Sequence, residues 1–191
     1  MNRSPMSFAV AIAQRGKGEK AAEIFSECGI TIQYIGLGHG TANSEIMDYL
    51  GLDEPEKDVV MGVCLTDCVA GAFSRLGDEM GFMGRGTGIA FSIPISSASS
   101  DTAERAGLKE NYERSSAKVD EKFEMIAVVV GGDMADIAMD SAKAAGARGG
   151  TIVRCRDMSP DSERRVFGVT VRQDMEILML ITPQKDKDRI M

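Results

Sequence analysis

The chain has 191 residues, 43% hydrophobic and 27% charged, proportions that fit a globular protein and argue against a disordered or membrane-spanning one. Its 22 Lys and Arg against 29 Asp and Glu give a formal charge of −7, the wrong sign for a protein that works by neutralising nucleic-acid phosphates. One histidine, no tryptophan and four cysteines without a C-x-x-C pair exclude a multi-histidine zinc site within the chain and argue against a disulfide scaffold, so reduced cysteines and a cytoplasmic protein are expected.

Met1-Asn-Arg-Ser-Pro leads only into a short apolar run, so no secretory signal is expected. That run, Phe8-Ala-Val-Ala-Ile-Ala, has the length of a strand. Ala21, Ile24, Phe25 and Cys28 then fall at helical spacing and stop at Gly29. Ile30-Thr-Ile-Gln-Tyr-Ile alternates and is rich in β-branched residues, which predicts a second strand. A loop from Gly36 to Lys57 follows, containing the charge run Asp53-Glu-Pro-Glu-Lys-Asp58, whose carboxylates read as solvated. The next strand is Asp58-Val-Val-Met-Gly-Val-Cys-Leu. A second apolar stripe, Val69, Ala72, Phe73, Leu76 and Met80, closes at Gly81. Ile89-Ala-Phe-Ser-Ile-Pro-Ile makes a fourth strand, and Pro94 marks it as an edge or a strand end. The order β-α-β-β-α-β is that of a ferredoxin-like unit, here residues 7–96.

Residues 97–122, rich in Ser, Ala and alternating charge, read as a polar linker, helical between Ala103 and Lys122. The pattern then restarts in a second unit, 123–191. Met125-Ile-Ala-Val-Val-Val is a strand, and Met134, Ile137, Ala138, Ser141, Ala142 and Ala145 form a helical stripe closed by Gly146. Thr151-Ile-Val-Arg-Cys, Val166 to Val171 and Met175 to Ile181 give extended structure again. Gly29 and Gly146, and Asp58 and Met175, are both 117 positions apart, which indicates an internal repeat. On that shift Ile95 lands past Met191, so the second unit lacks its second helix and last strand: either the chain continues or the second unit is a degenerate half. The fold class expected is α+β, two tandem ferredoxin-like units, the second incomplete at its C-terminus.

Two glycine clusters are the candidate ligand site. Gly36, Gly38, His39, Gly40 and Thr41 follow a strand, and Gly84, Arg85, Gly86, Thr87 and Gly88 precede one. Glycines bring backbone N–H groups close to an anion. Neither cluster completes G-x-G-x-x-G, since Thr41 and Ile89 stand at the third position, and no P-loop occurs. His39 is the one side chain with an ordinary pKa near neutrality. Arg148, Arg154 and Arg156 form a small basic group, open to a ligand contact or an intersubunit ion pair. The cysteines and thirteen methionines read as core filler, and no catalytic or metal-binding constellation stands out.

Ala144-Ala-Gly-Ala-Arg-Gly-Gly-Thr-Ile-Val-Arg, then Phe167-Gly-Val-Thr-Val and Glu176-Ile-Leu-Met-Leu-Ile-Thr-Pro, resemble the PII nitrogen-regulatory signalling proteins. Gly36-Leu-Gly38 resembles the base of that family's T-loop, and Gly86-Thr-Gly88 with Ala90-Phe-Ser-Ile-Pro-Ile its B-loop and last strand. The resemblance implies a non-catalytic homo-oligomer, a trimer, that binds ATP or ADP as effector and regulates a protein partner, with no obligatory cofactor, no nucleic acid and no membrane insertion. Ile89 stands at the family's B-loop lysine, and Ser96-Ser-Ala-Ser-Ser at a basic pair, which leaves ADP, AMP, a cyclic dinucleotide or another small anion open. The alternatives are a structural or metal-buffering oligomer of the same fold, and a nucleotide-handling enzyme.

Overall fold

The structure, a computed structural model, describes residues 5–39, 56–82, 84, 87–108, 123–162, 164–166 and 169–191. The protein is α+β and divides into two compact units, Met1–Ser116 with Met158–Asp161, and Ala117–Asp157 with Ser162–Met191.

In the first unit the elements are β1 (Met6–Gln14), α1 (Gly18–Glu27), β2 (Ile32–His39), β3 (Glu56–Leu65), α2 (Thr66–Met80), β4 (Gly88–Pro94) and α3 (Ser100–Arg105). The strands lie in the order β4-β1-β3-β2, each antiparallel to its neighbour. Antiparallel partners share a face, so the registers divide the side chains. One face carries Ala9, Ala11, Val60, Cys64 and Ile35, and it packs on Ala21, Ile24 and Phe25 of α1 and Val69, Ala72 and Leu76 of α2. The small residues sit under the helices because two helices must approach the same strands closely. At Gly62 an added Cβ would lie 2.5 Å from Ile30 Cγ2. The opposite face carries the large residues Phe8, Val10, Ile12, Met61, Tyr34, Phe91 and Ile93.

Both helical stripes of this unit are as the periodicity indicates, and α2 ends at Gly81 with φ 71°. Pro94 is the last residue of an outermost strand, where its missing N–H removes nothing from the ladder. β2 differs from expectation. It starts two residues late and runs on to His39, so Gly36, Leu37, Gly38 and His39 belong to the ladder and not to a loop. Met158 and Ser159 reach its backbone from far along the chain: Met158 N–H donates to Gln33 O at 2.8 Å, and Gln33 N–H to Ser159 Oγ at 3.1 Å. Of the expected helix between Ala103 and Lys122 only Ala103–Arg105 is helical in the described part: α3 is opened by Ser99 accepting from Thr102 N–H and ends at Arg105, with Gly107 at φ 84°, and residues 109–122 lie outside the described residues.

The second unit contains β5 (Phe123–Gly131), α4 (Ala135–Ala144), β6 (Thr151–Asp157), β7 (Arg164–Val166), β8 (Val169–Val171), β9 (Asp174–Pro183) and α5 (Lys187–Ile190). β9 is flanked by β6 and β5, both antiparallel to it, while β7 and β8 form a separate hairpin. Its core is Ile126, Leu178 and Leu180 against Met139 and Ala142 of α4. The helical stripe is rotated from the one read in the sequence. Ala135, Met139 and Ala142 are buried, and Met134, Ile137 and Ser141 are exposed. An alanine-rich helix offers several faces of similar apolarity, and the sheet selects one.

The repeat is visible atom by atom. Lys17 N–H bonds Gln14 O, and Met134 N–H bonds Gly131 O; Ile30 N–H bonds Phe25 O, and Ala147 N–H bonds Ala142 O; every pair is 117 apart. Gly16 has φ 82° and its counterpart Asp133 φ 67°. The third strand, however, recurs at 118. β1 pairs β3 as Met6↔Leu65 and β5 pairs β9 as Phe123↔Pro183. Asp58 therefore corresponds to Glu176 and not to Met175.

Candidate functional site

Both glycine clusters lie at one end of the first unit's sheet. A single row across it runs Gly88, Ala13, Asp58, Leu37, and the pairs beyond it are Gln14↔Lys57, Gly38↔Lys57 and His39↔Glu56. Gly36 to His39 and Gly88 sit on the two outer strands of this unit with β1 and β3 between them. At ~4.8 Å per strand, three spacings separate Gly88 from Leu37 in that row by ~14 Å.

The structure accounts for several of these residues without a ligand. Gly36 is buried in the ladder, and at Gly38 an added Cβ would come 3.1 Å from Val59 Cγ2. Gly84 N–H donates to Gly81 O at 2.8 Å. Thr87 Oγ1 lies 2.6 Å from Gly81 O and 2.8 Å from Gly84 O, with its hydroxyl closing that turn. An added Cβ at Gly88 would stand 2.5 Å from the Phe82 ring, so glycine lets the aromatic cover the start of β4. Gly40, Thr41, Arg85 and Gly86 lie outside the described residues, and for His39 only the backbone is described.

Between the clusters stands an arrangement that the sequence reading missed. Asp58, read as part of a solvated run, is 3% exposed. Its Oδ2 accepts from Gly16 N–H at 2.8 Å and Gly18 N–H at 2.9 Å, and its Oδ1 accepts from Arg15 Nη1 at 2.7 Å. Arg15 also reaches Glu56 at 3.2 Å. Lys17 at the N-cap of α1 provides no capping side chain, so the first N–H groups need an acceptor from elsewhere, and Asp58 supplies it. Burial pushes the Asp58 pKa up, but the bonds from Gly18, Arg15 and Gly16 outweigh it and hold the carboxyl below its ordinary value. The signal available in the sequence was a helix start, Gly16-Lys-Gly18, with no Ser, Thr, Asp or Asn at its cap.

The second unit repeats the device. Met134 at the N-cap of α4 provides no cap either, and Glu176 Oε2 accepts from Ala135 N–H at 3.0 Å. Arg154 pairs with Glu176 at 3.5 Å and Arg156 stands opposite Asp174, so each arginine faces an acid across the strands of its own unit. The four cysteines are free. Burial raises the Cys64 and Cys155 thiols to about 12, which suits packing and not nucleophilic chemistry. Among the described residues there is no group of three or more His, Cys, Asp or Glu that could hold a metal ion, and no helix is long and apolar enough to cross a membrane.

No protein-family model and no curated protein matches the chain. Among solved structures it is similar to an alkyldihydroxyacetonephosphate synthase, with 10% identity and a TM-score of 0.31, covering 99% of this chain and 39% of the other. It is also similar to the 4-ethylphenol oxidase from Gulosibacter chungangensis, with 13% identity and a TM-score of 0.28, covering 100% of this chain and 42% of the other. The chain thus spans about two fifths of either protein, and likenesses this remote carry no argument about its function.

Proposed function

We propose that the protein is a cytoplasmic, non-catalytic regulator resembling the PII signalling proteins, built from tandem ferredoxin-like units, homo-oligomeric, and sensing a small effector, an adenine nucleotide such as ATP or ADP, to control a protein partner. The observation that carries the reading is the strand order β4-β1-β3-β2 with both glycine-bearing segments at one sheet end. That order, with helices after β1 and β3, supports the ferredoxin-like reading. The second unit's repetition of β1, α1, β2 and β3 supports the tandem reading.

The chemistry at that end limits the effector. Of the cations described there, Arg15 is held by Asp58 and Glu56, while Lys57 lies one residue before Asp58 on β3. An anionic effector would draw on that lysine and on backbone N–H groups. Its binding at this end would shift the population between two states of the surface offered to the partner. The test is thermal unfolding with ATP, ADP, AMP and cyclic dinucleotides, each in large excess. A ligand at 100 times its dissociation constant adds about 2.7 kcal/mol, a readily measured rise in Tm. No shift with any of them overturns the sensing part and makes both clusters structural turns.

A further inference from the structure

We propose that β4 is a self-association edge, through which two copies join as an antiparallel ladder with its dyad at Phe91. The proposal rests on the homo-oligomer part of the reading above alone, and sets a two-copy contact in place of the trimer that the resemblance implies. β4 is outermost in its unit and, among the described residues, pairs only with β1. Its free side therefore presents the N–H and C=O groups of alternate residues, Gly88, Ala90 and Ser92, with Pro94 adding only its carbonyl. Natural edges are protected by lysines, bulges, internal prolines or a covering element. Here Pro94 comes only at the last residue, and no charged residue occurs from Gly86 to Ser100. Ile89, Phe91 and Ile93 are 62%, 41% and 38% exposed, and among the described residues no strand but β1 pairs with β4.

These observations select a second copy as the occupant. Phe91 is the centre of β4, with Ile89 and Ile93 two residues to either side. A dyad there sets Phe91 against Phe91 and Ile89 against Ile93, apolar on apolar along the whole row. The three side chains share the face that carries Phe8, Val10 and Ile12, so pairing also continues that apolar surface into the second copy. A chain of charge −7 meets its copy here without like charges in contact. The contact is isologous, so it closes at two copies instead of propagating. Seven residues span about 23 Å, and a contact of one strand pair falls short of the ~800 Å² per partner of a stable complex, so the dimer is weak and concentration-dependent.

The experiment is sedimentation across a concentration series, with two cysteine variants oxidised by glutathione disulfide. Wild type is expected to pass from monomer to dimer, and Phe91→Lys to remain monomeric with unchanged far-UV circular dichroism, its dissociation constant raised at least tenfold. Phe91→Cys places two thiols across the dyad, where directly opposed strand residues lie within disulfide reach, and is expected to form a covalent dimer. Ile89→Cys does not, because its own copy is four residues along the ladder, ~13 Å away. Wild type that stays monomeric at high micromolar concentration overturns both this proposal and the homo-oligomer reading. An oligomer of any size in which Phe91→Cys fails to cross-link, or Ile89→Cys cross-links as well, overturns the β4 interface alone.

Discussion

At Gly16 and Gly18, two residues apart, glycine is required for different reasons. Gly16 has φ 82° and open space around its Cβ position, so Gly16→Ala pays only backbone strain, about 1 kcal/mol. At Gly18 a Cβ would collide with Ile35 Cδ1 and stand 2.7 Å from Asp58 Cβ. Gly18→Ala should therefore cost clearly more than Gly16→Ala in urea unfolding; equal costs would contradict the packing. Asp58 adds a pH signature. Its folded pKa is depressed, so its contribution is complete above the unfolded value of ~3.9 and is lost as pH falls through the folded one. Asp58→Asn should cost about 1–3 kcal/mol at neutral pH, with the gap to wild type closing in acid. A gap that persists unchanged at pH 3 would show that the carboxylate charge is not what caps α1. At Gly88 the structural role is separable: Gly88→Ala should destabilise wild type, and much less so in a Phe82→Ala background that removes the ring.

The elements were legible to different degrees. β1 read correctly as a strand, but its run of apolar residues hid a division of labour, with alanines facing the helices and Phe8, Val10 and Ile12 on the other side. α2 was plain because Val69, Ala72 and Leu76 are larger or more buried than anything opposite them. Substitution of Leu76, fully buried on the inner side of α2, by alanine should cost about 2.7–5 kcal/mol, measured by chemical denaturation. α4 was placed correctly but its buried side was not, since alanines and methionines give a weak stripe. Met139→Ala should therefore destabilise while Ile137→Ala, on an exposed position, stays within about 0.5 kcal/mol of wild type; the reverse order would restore the stripe first read. β2 ran past its expected end because glycines, poor strand formers alone, are held in the ladder by Val59 and Lys57 opposite them.

Across the whole molecule the repeat links these observations. Asp58 serves two N–H groups of the first unit, and Glu176, one methylene longer and one register step along, serves Ala135 of the second. Hydrogen exchange should show this directly. Asp58→Asn should speed exchange at Gly16 and Gly18, and Glu176→Gln at Ala135, each with little effect on the other unit's helix start. Slowed or unchanged exchange at Ala135 in Glu176→Gln would show that Glu176 does not serve α4 as Asp58 serves α1.

The missing N–H of Pro94 marked an edge or a strand end, and hydrophobic periodicity, which is local, determined the element order, the α+β class and the repeat of the first strand and helix. It needs only the spacing of apolar residues and the glycines that end helices. The tertiary structure alone decided what depends on partners far apart in the chain. Asp58 became a cap because β3 passes beneath the start of α1, 40 residues away in sequence. The glycine clusters came to one sheet end on separate strands because the strands order as β4-β1-β3-β2. The third strand's extra register step was invisible to spacing, because one residue added in a loop leaves every apolar pattern intact while moving the whole ladder.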